Sequence, residues 1–181
     1  MEEKSYIEQF EAKIADSVYN YLLKCKEADE IKPDAPDMNV RWPIVCQSYL
    51  QDGVREFSGY PTVSLGWMML TGMAITKFWD KDWEKYSKVE DLYTMLRDVR
   101  GYDCMDDYIC EDILKLSPKG CKELKKLVEN TATIALRGLQ YEHFEPGTPL
   151  AFQAYVATLH QMYYAGVAVE LRRLGYHMQK L

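Results

Sequence analysis

The sequence predicts an all-α fold, a single-domain bundle of six or seven helices spanning residues 1–181. Three observations carry that expectation. Apolar residues recur every three to four positions along most of the chain, the period of one helix face. No run alternates apolar and polar residues as a half-buried strand would. Between the periodic segments stand helix-starting and helix-ending residues, Ser or Thr before Pro and Gly after an amphipathic run. A length of 181 residues suits one domain with no internal linker.

The first helix is expected over Glu3–Glu30, where Ile7, Phe10, Ile14, Val18, Tyr21, Leu22 and Cys25 share a face. Pro33 and Pro36 end it, because proline lacks the amide proton and restricts the residue before it. A second helix is expected from Pro43 to about Phe57, with Gly53 weakening its centre and a short strand over Val40–Val45 as the alternative. Pro61 suits the first turn of a third helix reaching Tyr86. Ser87-Lys88-Val89-Glu90 has capping-box spacing and would start a fourth, burying Val89, Leu92, Tyr93, Leu96 and Val99 and stopping near Gly101. Asp103 is the expected cap of a short piece with Met105, Ile109, Ile113 and Leu116 inward. Ser117-Pro118 and Thr148-Pro149 each pair a capping hydroxyl with a first-turn proline. The last helix should end near Gly175, a residue suited to the left-handed position after a helix.

Composition narrows the function classes. The formal charge of −6 argues against phosphate-backbone binding, so no nucleic-acid partner is expected. Five cysteines in irregular spacing, without a Cys-x-x-Cys, give neither a disulfide framework nor a zinc cluster. They read as small buried hydrophobes in a reducing cytoplasm, and the charged N-terminus lacks the pattern of a signal peptide. Two charge-free runs, Phe57–Thr76 and Pro146–Val169, are long enough to cross a bilayer. Their interior Ser, Thr, Gln and His residues fit core helices better than membrane spans.

Several constellations invite a chemical reading. His143, His160 and His177 lack the Glu-x-x-His pattern of dimetal bundles, so no metal and no cofactor is expected. Glu8-x-x-Glu11 and Glu27-x-x-Glu30 imitate the paired carboxylates of magnesium-dependent helical nucleotide pyrophosphohydrolases. On one continuous helix they would sit roughly 25–30 Å apart and share no ion. The segment from Asp103 to Asp112 holds five carboxylates and no base, with Asp103, Asp106, Asp107 and Glu111 as an acidic patch. Its plain reading is solvated surface, with Asp106 and Asp107 exposed and Lys119, Lys122, Lys125 and Lys126 near enough to neutralise it. On the last helix Gln153, His160 and Tyr164 fall on one stripe, in a stretch expected to be buried on nearly every side, and are the candidate ligand-binding residues.

Aromatics with a polar end dominate, with 14 Tyr and 4 Trp against 5 Phe, which suits half-wet surfaces. Ala151, Ala154, Ala157, Ala165, Gly166 and Ala168 imply close helix–helix approach, inside the bundle or across a dimer axis. The leading expectation is a cytoplasmic protein-interaction module of the adaptor, inhibitor or immunity type, with a protein partner or self-association. The alternative is a small ligand-binding protein or enzyme with a pocket beside the last helix around His160.

Overall fold

The computed structural model describes residues 2–176. Seven α-helices account for it, with no strand among the described residues: α1 Glu2–Lys24, α2 Pro36–Gly59, α3 Pro61–Tyr86, α4 Leu92–Arg100, α5 Met105–Tyr108, α6 Pro118–Tyr141 and α7 Pro149–Arg173. A 3₁₀ turn (Tyr102–Cys104) precedes α5, and a π-helical turn (Ile109–Ile113) follows it. The all-α bundle is therefore as the periodicity requires.

α3 and α7 form the central pair, with α1 and α6 against both the core and each other and α2 along α3. The seam between α3 and α7 is so close that backbone meets backbone. A Cβ on Gly72 would lie 2.3 Å from the carbonyl oxygen of Tyr163, and one on Gly166 would lie 2.0 Å from that of Met69. Only glycine fits there, which places the small-residue stripe of α7 inside the bundle. Met68, Met69, Met73, Leu159, Met162 and Val169 fill the surrounding core. The polar residues of these helices bond backward along their own helix. Thr71, Thr76 and Thr158 each donate to the carbonyl four residues earlier, at 2.8 Å. No helix among the described residues is long and apolar enough to cross a membrane.

Many helix ends fall where local chemistry puts them. Ser117 accepts from the amide of Gly120 at 3.0 Å, and Thr148 accepts from Ala151 at 3.2 Å. Gly101 and Gly175 sit at φ +84° and +94°.

Four boundaries differ from expectation. α1 stops at Lys24 instead of Glu30, because Lys26 adopts φ 58° and the amide of Glu27 reaches back to Leu22 O at 2.9 Å. The chain then folds back, burying Ala28 and Ala35, with Arg173 holding Glu27 at 3.3 Å. α2 starts at Pro36 and carries Pro43 inside it, so the strand alternative is not realised. Pro43 forfeits one helical hydrogen bond, but Met38 and Val45 on either side are buried and hold the helix together. The capping box at Ser87 does not form. Asp91 starts α4, accepting from the Thr94 amide at 3.0 Å and the Thr94 hydroxyl at 2.7 Å, while Val99 is exposed. Asp103 lies inside the 3₁₀ turn and caps nothing.

Candidate functional site

The α7 stripe is more open than its lack of charge implies. Phe152 and Gln153 are exposed, and His160 keeps a quarter of its side chain in solvent, which corrects the expected burial on nearly every side. Gln153 lies two turns from His160 and does not join it. Tyr164, on the same stripe, does meet His160, whose other partners come from α1 and α2. Glu11 Oε2 lies 2.9 Å from His160 Nδ1 and accepts from Gln161 Nε2 at 2.6 Å. The indole of Trp42 stacks on the imidazole at 4.7 Å, and the Tyr164 ring tilts against it at 4.3 Å. A carboxylate accepting at Nδ1 fixes that nitrogen as the proton carrier and fixes the ring's orientation. Burial and the nearby Glu11 charge push the Tyr164 phenol above its ordinary range. Beside this cluster a pocket of about 210 Å³ touches Gln161 and Tyr164, with Lys32 and Asn39 across from them.

The acidic segment is neutralised from two sides. Lys125 binds Asp107 directly and stands 3.7 Å from Asp106, as the lysines of α6 allowed. Arg100 holds Glu111 at 3.1 Å and Asp112 at 2.9 Å, a partner the sequence did not single out. Asp107 is half-exposed, but Asp106 is mostly covered, which corrects the expectation that both are exposed. Burial, with the adjacent Asp107 charge, raises the Asp106 carboxyl above the usual range despite the Lys125 ammonium. Asp103 is exposed and stands apart from these pairs.

No group of three or more metal-ligating side chains converges among the described residues. Glu8/Glu11 and Glu27/Glu30 do not share a helix, since α1 ends between them. His143 is exposed in the α6–α7 loop, and His177 lies outside the described residues. All five cysteines are free. Cys46, Cys110 and Cys121 are buried as expected, whereas Cys25 and Cys104 are exposed. Burial beside Cys121 pushes the Cys110 thiol up to about 12, so it is an inert thiol.

The largest cavity lies away from His160. It is an open groove of about 530 Å³ between the α2–α3 corner, the end of α6 and the start of α7. Phe57, Pro61, Leu136, Leu139, Phe144 and Tyr155 make its apolar walls, Gln140 and His143 are its polar lining residues, and no Asp, Glu, Lys or Arg lines it. Next to lining residues in the chain stand Tyr60, Tyr141 and Phe152, which are 67%, 79% and 46% exposed. The charged neighbours Glu56, Glu142 and Glu145 outnumber Arg137.

Sequence reasoning missed a polar network in the core. Tyr155 donates to Ser64 Oγ at 2.6 Å, and Ser64 donates to Gly53 O at 2.8 Å. Tyr49 donates to Ser64 O and receives from Tyr102 at 3.0 Å. Asp52 accepts from the Tyr93 hydroxyl at 2.6 Å and from Arg97 at 3.2 Å. Gly53 makes room for it, since a Cβ there would sit 2.4 Å from the Tyr49 ring and 2.7 Å from the Tyr155 hydroxyl. Five of the tyrosines, Tyr19, Tyr49, Tyr93, Tyr155 and Tyr163, are thus core residues rather than surface ones. Their number was the available signal, but their partners lie on other helices.

Glu170, near the end of α7, is 4% exposed. Burial raises its carboxyl to about 7, against the opposing charges of Arg173 and Lys77. Comparison of the chain with protein-family models, curated proteins and solved structures found no match.

Proposed function

We propose that this protein is an interaction module of the cytoplasm, and that its recognition surface is the open groove at the α2–α3 corner. The occupant we assign is an amphipathic helix of a partner protein, with apolar anchors on one face and basic residues flanking them. One observation carries the reading: a roomy open groove is walled mostly by apolar side chains, with Gln140 and His143 its polar lining residues, and exposed Tyr60, Tyr141 and Phe152 adjoin it. An enclosed pocket of this size would suit a small molecule, which is normally surrounded on most sides. An open groove with aromatic flanks suits a helix laid along it through residues at i, i+3, i+4 and i+7. The carboxylates of Glu56 and Glu145, next to lining residues in the chain, and a net charge of −6 favour basic flanks on the partner.

The test uses Ala151, which lines the groove three residues after the capping Thr148. Ala151→Gln places a polar side chain in the groove while completing a capping box, so folding is preserved. A synthetic Leu/Lys amphipathic helix should bind the wild-type chain and bind the variant at least about tenfold more weakly. Equal binding by both chains removes the groove from the proposal. Sedimentation should show a monomer; a dimer that Ala151→Gln dissolves assigns the groove to a second copy and overturns the partner.

A second reading, a ligand-binding protein or enzyme beside α7, is favoured by the Glu11–His160 pair alone. A carboxylate that fixes a stacked imidazole is half of an acid–base device. The pocket beside it admits only a small ligand and is not lined by His160 or Gln153.

A further inference from the structure

A separate cavity, of about 440 Å³, opens between the C-terminal half of α3 and the segment from Tyr108 to Lys115. Lys77, Lys81 and Lys115 line it; none of the three is in a salt bridge among the described residues, although the Lys77 charge also acts on buried Glu170. They bring three ammonium groups to one cavity in a chain of net charge −6. Of the two carboxylates that share the lining, one is paired with a base and the other accepts only from a neutral hydroxyl and keeps its charge. Asp80 accepts from the Tyr176 hydroxyl at 2.6 Å, and Asp112 accepts from Arg100 at 2.9 Å.

The aromatic wall offers edges rather than faces. Phe78 stacks on Tyr86 at 4.2 Å, and the Lys85 ammonium sits 5.2 Å above the Tyr86 ring. The Tyr86 ring is thus occupied by Phe78 and Lys85, and the Arg100 guanidinium lies over the Tyr108 ring at 5.8 Å. The hydroxyls of Tyr86 and Tyr108, by contrast, have no hydrogen-bond partner among the described residues. Lys115 itself is held at φ 54°, directly after the π-helical turn. As at Lys26, this is the left-handed residue that ends a helical segment, with the Leu116 amide reaching back to Cys110 O at 3.0 Å.

We propose that this cavity binds a small phosphate-bearing polyol. Lysine ammonium groups are compact, strongly hydrated point charges that suit a phosphate group. Lys77, Lys81 and Lys115 hold the phosphate, while the Tyr86 and Tyr108 hydroxyls and the remaining lone pairs of Asp80 and Asp112 take the hydroxyl groups. The volume lies within the range of ordinary metabolite pockets. This site is independent of the groove, and neither stands or falls with the other.

Titration calorimetry on the full chain with ribose 5-phosphate, ribose and inorganic phosphate tests the assignment. Ribose 5-phosphate should give saturable heat, and ribose none. The double variant Lys81→Gln/Lys115→Asn should bind at least about tenfold more weakly, because asparagine tolerates the left-handed backbone and both side chains are exposed. Lys122→Gln/Lys126→Gln, two exposed lysines on α6 away from this cavity, should leave binding unchanged. Circular dichroism melts confirm that each variant is folded. No saturable heat at millimolar ligand overturns the proposal, as does equal weakening by the control pair. Equal affinity for inorganic phosphate overturns the assignment of a hydroxylated body.

Discussion

The α3–α7 seam and the tyrosine network beside it hold the same helices together by opposite means. At the seam the partners of Gly72 and Gly166 are backbone atoms, and tight apolar packing does the work. In the network the partners are hydroxyls and carbonyls from α2, α3, α4 and α7, and geometry is set by hydrogen bonds. A seam built on backbone contact tolerates no added atom, because neither helix can yield without moving whole. A network of side chains tolerates added or lost atoms one partner at a time, at the cost of each group left unsatisfied. The two regions should therefore fail differently.

The largest effect is expected at the seam. Gly166→Val should destabilise the fold by about 3 kcal/mol or more, since its Cβ alone would meet Met69 O at 2.0 Å. Gly59→Ala, where a Cβ meets nothing, should cost almost nothing. Urea unfolding of the two variants tests the contrast, and comparable losses would sink it.

Next comes the charged end of the seam helix. Because burial raises Glu170 to about 7, the unfolded chain releases its proton first as pH rises. The stability it contributes is complete below the ordinary carboxyl value and is lost as pH climbs through about 7. Glu170→Gln should remove that decline and stabilise the protein at pH 8 by about 2 kcal/mol. A wild-type unfolding free energy that does not fall between acid and mildly alkaline pH, relative to the variant, would show that Glu170 ionises normally.

The network should respond more gently. Ser64→Ala strands the Tyr155 hydroxyl and Gly53 O, and should cost about 1–3 kcal/mol. Adding Tyr155→Phe to Ser64→Ala should cost less than it does in the wild type, because the hydroxyl it removes is already unpaired. Strict additivity in this double-mutant cycle would mean that the bond contributes nothing.

The smallest effect is expected at His160. Both partners of its pair with Glu11 keep about a quarter of the side chain in solvent, so His160→Gln should cost less than about 1 kcal/mol. A loss as large as that of Gly166→Val would place His160 with the buried core after all.

The sequence was legible where structure is decided within one turn. Ser117 and Thr148 satisfy amides three residues away, and Gly101 and Gly175 take positive φ that costs other residues more. It misled where one residue type serves two rules: Pro36 is expected only to end the first helix and Pro43 to start the second, whereas α2 starts at Pro36 with Met38 buried in its first turn. For the candidate site, His160 and Tyr164 were visible as a stripe, but Glu11 and Trp42 were not. The carboxylate that orients His160 lies 149 positions earlier in the chain.

By itself, then, the sequence determined the helical class, the closely packed small-residue face of α7 and the caps of α6 and α7. These depend on periodicity, side-chain volume and hydrogen bonds between near neighbours, all of which are properties of a short segment. Only the tertiary structure decided where α1 turns, which tyrosines are core, which bases answer the acidic segment, and which lysines share a cavity. Those outcomes depend on how whole helices are placed against one another. Placement is fixed by the sum of many apolar contacts, not by any one residue's preference.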